Sequence, residues 1–314
     1  MNSDNDRGDL YWDRDHLVRS NVPLPFTHCP GAIAQAGDPL VEVRSGPVAP
    51  GGSGRPTIGG WRVSPDRLVG DLVGVGRASI VDGRHVTVQP VPGIGPETLG
   101  HVVAHSVLTV AAIQRGTTVV HAAVLEMGGR TIALCAPSGT GKSTLAALLR
   151  RRGAVVHSDD HCFLGDTQPT LVSTRGSTAV RLRPDAAWAI GIDPTTLPAI
   201  PGPVVKYHDV APGHAPAQGT RRLDGLYLLR RRRGLASPVM EPVSPVLAVP
   251  ALVRSLLRRR LTEYLHGSRA VFAVAAALAE TLPVYRLIVP DTLSHLEPTA
   301  DVVGDLLWRP RVTT

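Results

Sequence analysis

The run RTIALCAPSGTGKSTLAALLRRRGAVVHSDDH, Arg130 to His161, restricts the possible folds of this chain more than any other part of it. An apolar, β-prone segment ends in a glycine-containing loop. Good helix formers follow without a gap, and a second β-prone segment begins right after Gly153. Glycine commonly closes a helix in the left-handed C′ position, so a helix is expected over Ser143 to Arg152. Strand, loop, helix and strand in that order is the building unit of an α/β fold. The preceding segment TTVVHAAVLEMGG, Thr117 to Gly129, reads as a further strand joined to the next by a tight Gly-Gly turn.

Within that unit, APSGTGKS, Ala136 to Ser143, follows the phosphate-loop pattern G-x-x-x-x-G-K-[ST], with alanine in place of the first glycine. Glycines let backbone N–H groups turn toward phosphate oxygens, and a helix starting there aims its positive dipole end at them. Ala136, Pro137, Ser138, Gly139, Thr140 and Gly141, with Lys142, Ser143 and Thr144, are therefore the expected cradle of a triphosphate. Lys142 stands out because 31 of the 33 basic residues are Arg and only 2 are Lys. A compact ammonium can bridge β- and γ-phosphates, whereas the planar fork of Arg fits that cradle poorly. Ser143 is the expected hydroxyl ligand of Mg²⁺.

HSDDH brings Asp159 and Asp160 to the end of the next strand, 17 positions after Lys142. Two carboxylates at a strand tip beside a triphosphate can divide the work, one holding Mg²⁺ and the other accepting the proton of an attacking hydroxyl. The sequence leaves open which does which. His157 and His161 flank the pair and, with His121, suggest a zinc alternative, against which stands the use of the same carboxylates for Mg²⁺.

Positive charge for a transferred phosphoryl group is available downstream. In TRGSTAVRLRP, Arg181 and Arg183 share one face at strand spacing, and Arg175 precedes them. Lys206, in GPVVKYHDV, is the other lysine, and it and Arg183 are candidates for contact with phosphate or substrate. The segment LVRSLLRRRLTEYLHGSR sets Leu252, Leu256, Leu257 and Leu261 at helical spacing, which predicts one amphipathic helix with its arginines facing solvent.

From Thr117 to His161 the sequence resembles the HPr kinase/phosphorylase family, and more closely its HPr-kinase-related branch associated with biosynthetic gene clusters of the lasso-peptide type. GSTAVRLRPDAAWAIGID is similar to the branch's Leu-Arg-Leu-x-Pro-Asp-Ala segment, and LDGLYLLRR to its later core strand, so the likeness runs from about residue 100 to 290. The resemblance implies a P-loop kinase core like that of HPr kinase and PEP carboxykinase, using ATP and Mg²⁺. It implies that His121, in the strand before the loop, assists the phosphate or the metal; a buried strand histidine bonded to a backbone carbonyl is the alternative. The implied acceptor is a serine of a peptide, such as a ribosomally made natural-product precursor, or of a protein. A kinase of a small hydroxylated metabolite and a non-catalytic nucleotide-binding regulator are the rival readings, the second prompted by Ala136.

Composition bounds the rest. With 43% hydrophobic residues over 314 positions the chain can bury a large core. A net charge of +7 permits acidic partners without demanding nucleic acid, and 4% aromatic residues make a base-stacking surface a poor expectation. Three separated cysteines, Cys29, Cys135 and Cys162, suit a reducing cytoplasm. The polar N-terminus does not read as a signal peptide, and no window reaches the roughly 18 apolar residues of a membrane span. Organisation is expected as a flexible arm over 1–40, a β-rich subdomain with a connecting helix over 41–115, and the kinase core over 116–314, with an oligomer allowed.

Overall fold

Hydrogen-bonded strand order separates two units, each with its own sheet, in the computed structural model. The structure describes residues 8–13, 16–26, 40–51, 56–165, 170–173, 179–200, 206–209, 220–292 and 295–308. Arg175 lies outside them.

The first unit comprises residues 1–118 and 260–268. Its eight strands run, edge to edge, Asp9–Asp13, His16–Ser20, Leu40–Ser45, His85–Pro90, Gly76–Val81, Arg67–Leu72, Trp61–Val63 and Thr57–Ile58. The strands from 57 to 90 are antiparallel neighbours in sequence order, as the turn residues predict. Asp82 and Gly83 take φ of 51° and 64°, the paired positive values of a type I′ hairpin. Residues 9–13 and 16–20 fall where an arm was expected but pair as an antiparallel hairpin. Tyr11, Leu17 and Val18 explain this: each is buried, and charged neighbours obscure them in the sequence. The helix expected near residues 96–116 forms as Pro96–Val102 and Leu108–Gln114, joined through a π-helical turn at Val103–Val107.

The second unit comprises residues 119–259 and 269–314. Its six-stranded sheet runs Val155–Ser158, Ala122–Met127, Arg130–Cys135, Gly225–Arg232, Val284–Pro290, Val239–Val243. The central strands carry unbroken apolar runs, Ala122–Leu125 and Ile132–Cys135, because both faces are covered there, which removes the polar alternation of a half-exposed sheet. Along Ala122–Met127, Ala123 and Leu125 pack with helices Lys142–Arg151 and Leu296–Trp308, while Ala122 and Val124 pack with helices Pro245–Ser255 and Ser268–Thr281. Ile132 and Leu134 against Ala133 and Cys135 divide in the same way.

One expected element is broken. The amphipathic helix drawn through Leu252 to Leu261 is two helices, Pro245–Ser255 and Arg259–His266. Leu256 leaves helical geometry to bridge Val120, the Leu257 N–H donates to the Val119 carbonyl at 2.8 Å, and Arg258 turns to φ 50°. A backbone bond to a strand outcompetes the helical spacing of the leucines.

Candidate functional site

Strand direction gathers the chemistry-bearing residues. Val155–Ser158 is antiparallel to Ala122–Met127, which is antiparallel to Arg130–Cys135, so the first and last of these point the same way. Gly225–Arg232 is parallel to Arg130–Cys135. The loop after Cys135, the carboxylates after Ser158, Arg231 near the end of its strand and His121 just ahead of Ala122 therefore emerge along one edge of the sheet. Crevices beyond the carboxyl ends of parallel strands are where α/β proteins bind ligands.

The loop has the conformation its glycines permit. Gly139 and Gly141 take φ of 82° and 101°, values that cost an L residue about 1–2 kcal/mol. Gly141 is the N-cap of helix Lys142–Arg151, and the Leu145 N–H donates to its carbonyl at 2.9 Å. Leu145 and Leu149 anchor that helix in the core at 2% and 0% exposure. Ala136 is buried and has no positive φ, so alanine at the first glycine position carries no backbone strain.

Lys142 is only 5% exposed, and a buried ammonium needs fixed anions or dipoles close by. Its Nζ donates to the Asp159 carbonyl and, at 2.9 Å, to Asp160 Oδ1, with Asp159 Oδ1 at 3.7 Å. Arg181 closes the group: its guanidinium pairs with Asp160 Oδ2, and its backbone N–H donates to Asp159 Oδ2 at 2.9 Å. His121 Nε2 lies 3.4 Å from Asp160 Oδ1. Burial acts to raise the Asp160 pKa, but the His121 hydrogen bond and the charges of Lys142 and Arg181 outweigh it and hold the carboxyl far below the usual range. Asp160 is thus firmly ionised in this arrangement.

A cleft of about 540 Å³ opens over these groups, within the ~300–1,000 Å³ of small-molecule sites. Pro137, Ser138, Gly139, Gly141, Ser143 and Thr144 form its loop side, and Lys142, Asp160 and His121 its floor. Arg181, Arg183 and Lys206 line it as well. Three expected site residues are not on its wall: Ala136 and Asp159 are buried, and the Thr140 carbonyl is turned to Arg231. Asp159 Oδ1 is buried without a hydrogen-bond partner. That orphaned oxygen, the Ser143 hydroxyl and Asp160 suit a hard, oxygen-seeking cation such as Mg²⁺, which takes few protein ligands and completes its shell with water and phosphate.

The zinc alternative finds no support. His157 is buried with Nε2 held 2.9 Å from Glu126 Oε2, and among the described residues no group of three or more His, Cys, Asp or Glu could hold a metal. Cys135, next to the loop, is no nucleophile, since burial pushes its thiol up to about 12 despite the Lys142 charge.

Arg231 is the site residue that the sequence did not single out. Its Nε donates to the Thr140 carbonyl at 2.8 Å, its NH1 lies 3.6 Å from Asp291, and its side chain lines the cleft. Four consecutive arginines conceal it; the usable signal was its place near the end of the strand parallel to the loop strand.

No protein-family model matches the sequence, and no curated protein matches it. Among solved structures, the chain is similar to the HPr(Ser) kinase/phosphatase of Coxiella burnetii at 14% identity, with 60% of this chain and 96% of that chain covered and a TM-score of 0.30. Among the described residues, no helix is long and apolar enough to cross a membrane.

Proposed function

We propose that the cleft binds ATP with Mg²⁺ and that the protein transfers the γ-phosphoryl group to a hydroxyl. The observation that carries this reading is the meeting of a left-handed glycine loop at a helix N-terminus with a buried lysine held 2.9 Å from a strand-tip carboxylate, beneath an open cleft. The loop amides and Lys142 would take the β- and γ-phosphates. Ser143 and Asp159 would hold Mg²⁺, which when bound neutralises phosphate charge, and this leaves Asp160 for the proton. Asp160 faces the cleft and is the reading's base. Its low pKa makes it a weak one until phosphate oxygens share Lys142 and Arg181, which returns the carboxylate toward a range where it can accept the hydroxyl proton. His121, within reach of the same carboxylate, would orient it.

The sequence resemblance makes a serine of a peptide or protein the first acceptor to test, with a ribosomally made precursor peptide at the head of that class and small hydroxylated metabolites as the second. The experiment is transfer of label from γ-labelled ATP to serine-containing peptides and to a panel of hydroxylated small molecules. Label on either class supports a kinase. ATP binding with no acceptor-dependent ADP release from any candidate would support the regulator instead.

A further inference from the structure

We propose that Arg183 and Lys206 form an anion-binding subsite on the acceptor side of the cleft, so that the phosphoryl acceptor carries its own phosphate or carboxylate group. This rests on the kinase reading above. In the small antiparallel sheet, Val180 pairs with Asp209, Arg181 with His208 and Leu182 with Tyr207. The ladder ends there, but Arg183 stays extended as the N-cap of helix Pro184–Ala189, so the same register continued by one residue would bring it opposite Lys206, and both line the cleft. Like charges directly opposite across an antiparallel pair repel, and the arrangement becomes favourable when an anion sits between them.

The remaining cations of the cleft are already committed. Lys142 and Arg181 share Asp160, and Arg231 is tied to the Thr140 carbonyl and faces Asp291. Among the described residues, the one carboxylate paired with Arg183 is Asp185, 3.5 Å away and itself 68% exposed, and none pairs with Lys206. The pair is also held in place. Val180 and Leu182 are fully buried, and Arg150 of the loop helix bonds the Asp209 carbonyl at 2.9 Å and its carboxylate, which moors the strand that carries Lys206. The triphosphate has its own cradle at the loop, so this second cationic pair serves a different anion.

The test uses the full chain saturated with Mg²⁺ and the non-hydrolysable analogue AMP-PNP, then titrated with inorganic phosphate in a calorimeter. The wild type is expected to bind one phosphate beside the nucleotide. Arg183→Gln and Lys206→Gln should each weaken it about tenfold, Arg183→Lys should keep most of it, and AMP-PNP affinity should move by less than about threefold. Phosphate that competes with AMP-PNP would assign the pair to the nucleotide's own phosphates and overturn the proposal. Equal phosphate affinity in wild type and both glutamine variants, or no phosphate bound beside the nucleotide, would overturn it too. Failure of AMP-PNP itself to bind would instead remove the nucleotide reading beneath the proposal.

Discussion

Deep in the cleft, Lys142, Arg181 and His121 gather on the Asp160 carboxylate with side-chain exposures of 25% or less, whereas at its rim Arg183 is 57% exposed and, among the described residues, pairs with the exposed Asp185 alone. The deep group is satisfied before any ligand arrives. A phosphate entering it must replace existing partners, and what it gains is pre-organised geometry in low dielectric. At the rim, the one carboxylate paired with Arg183 or Lys206 among the described residues is the exposed Asp185, so an anion there would be bound more weakly, with stronger dependence on salt. On the proposed kinase reading, the deep region would serve positioning and chemistry and the rim would serve selection.

The sharpest way to break that contrast is at the deep carboxylate. Asp160→Asn removes the ion-pair acceptor while keeping the shape, so phosphoryl transfer should fall by about a thousandfold while nucleotide still binds. Stability should drop by about 3 kcal/mol in chemical denaturation, because Lys142 and Arg181 lose their shared counter-ion. Full transfer by this variant would move the base to Asp159 or remove it from the pair.

A pair of glycines separates strain from site. Gly141 and Gly153 flank the loop helix at φ of 101° and 94°, so alanine at either should cost about 1–2 kcal/mol of stability. A Cβ at Gly141 would stand 3.0 Å from the Arg231 guanidinium, whereas nothing lies within 4 Å at Gly153. Nucleotide affinity, measured by titration, should fall about tenfold in Gly141→Ala and stay unchanged in Gly153→Ala. Equal loss in both would detach Arg231 from the site.

The smallest expected effect lies outside the cleft. Burial pushes the His157 pKa down, only partly opposed by Glu126, which also bonds Arg221. The unfolded chain then holds more protons than the folded one below about pH 6.5, so stability falls as pH drops through that value. Melting curves at about pH 7.5 and 5.5 should show a loss of a few degrees that shrinks in His157→Gln. The same loss in that variant would place the titration elsewhere.

Much of this was legible in the sequence where the determinants are local. The glycine pattern before Lys142, the helix stop at Gly153 and the Asp pair after an apolar strand each act through neighbouring residues. Arg231, the partnering of Arg181 with Asp160 and the break at Leu256 were not legible, because each depends on which strand lies beside which. The hairpin of residues 9–20 is obscured for another reason: Tyr11 and the adjacent Leu17 and Val18 sit among charged residues and give no period to read.

The most direct test of the central claim is calorimetric titration of Mg²⁺ and AMP-PNP into the wild type and into Lys142→Ala. The account expects one nucleotide per chain in the wild type and an affinity loss of about a hundredfold or more in the variant, since the ammonium is buried where the phosphates would lie. Equal binding by both proteins, or none by the wild type, would contradict it.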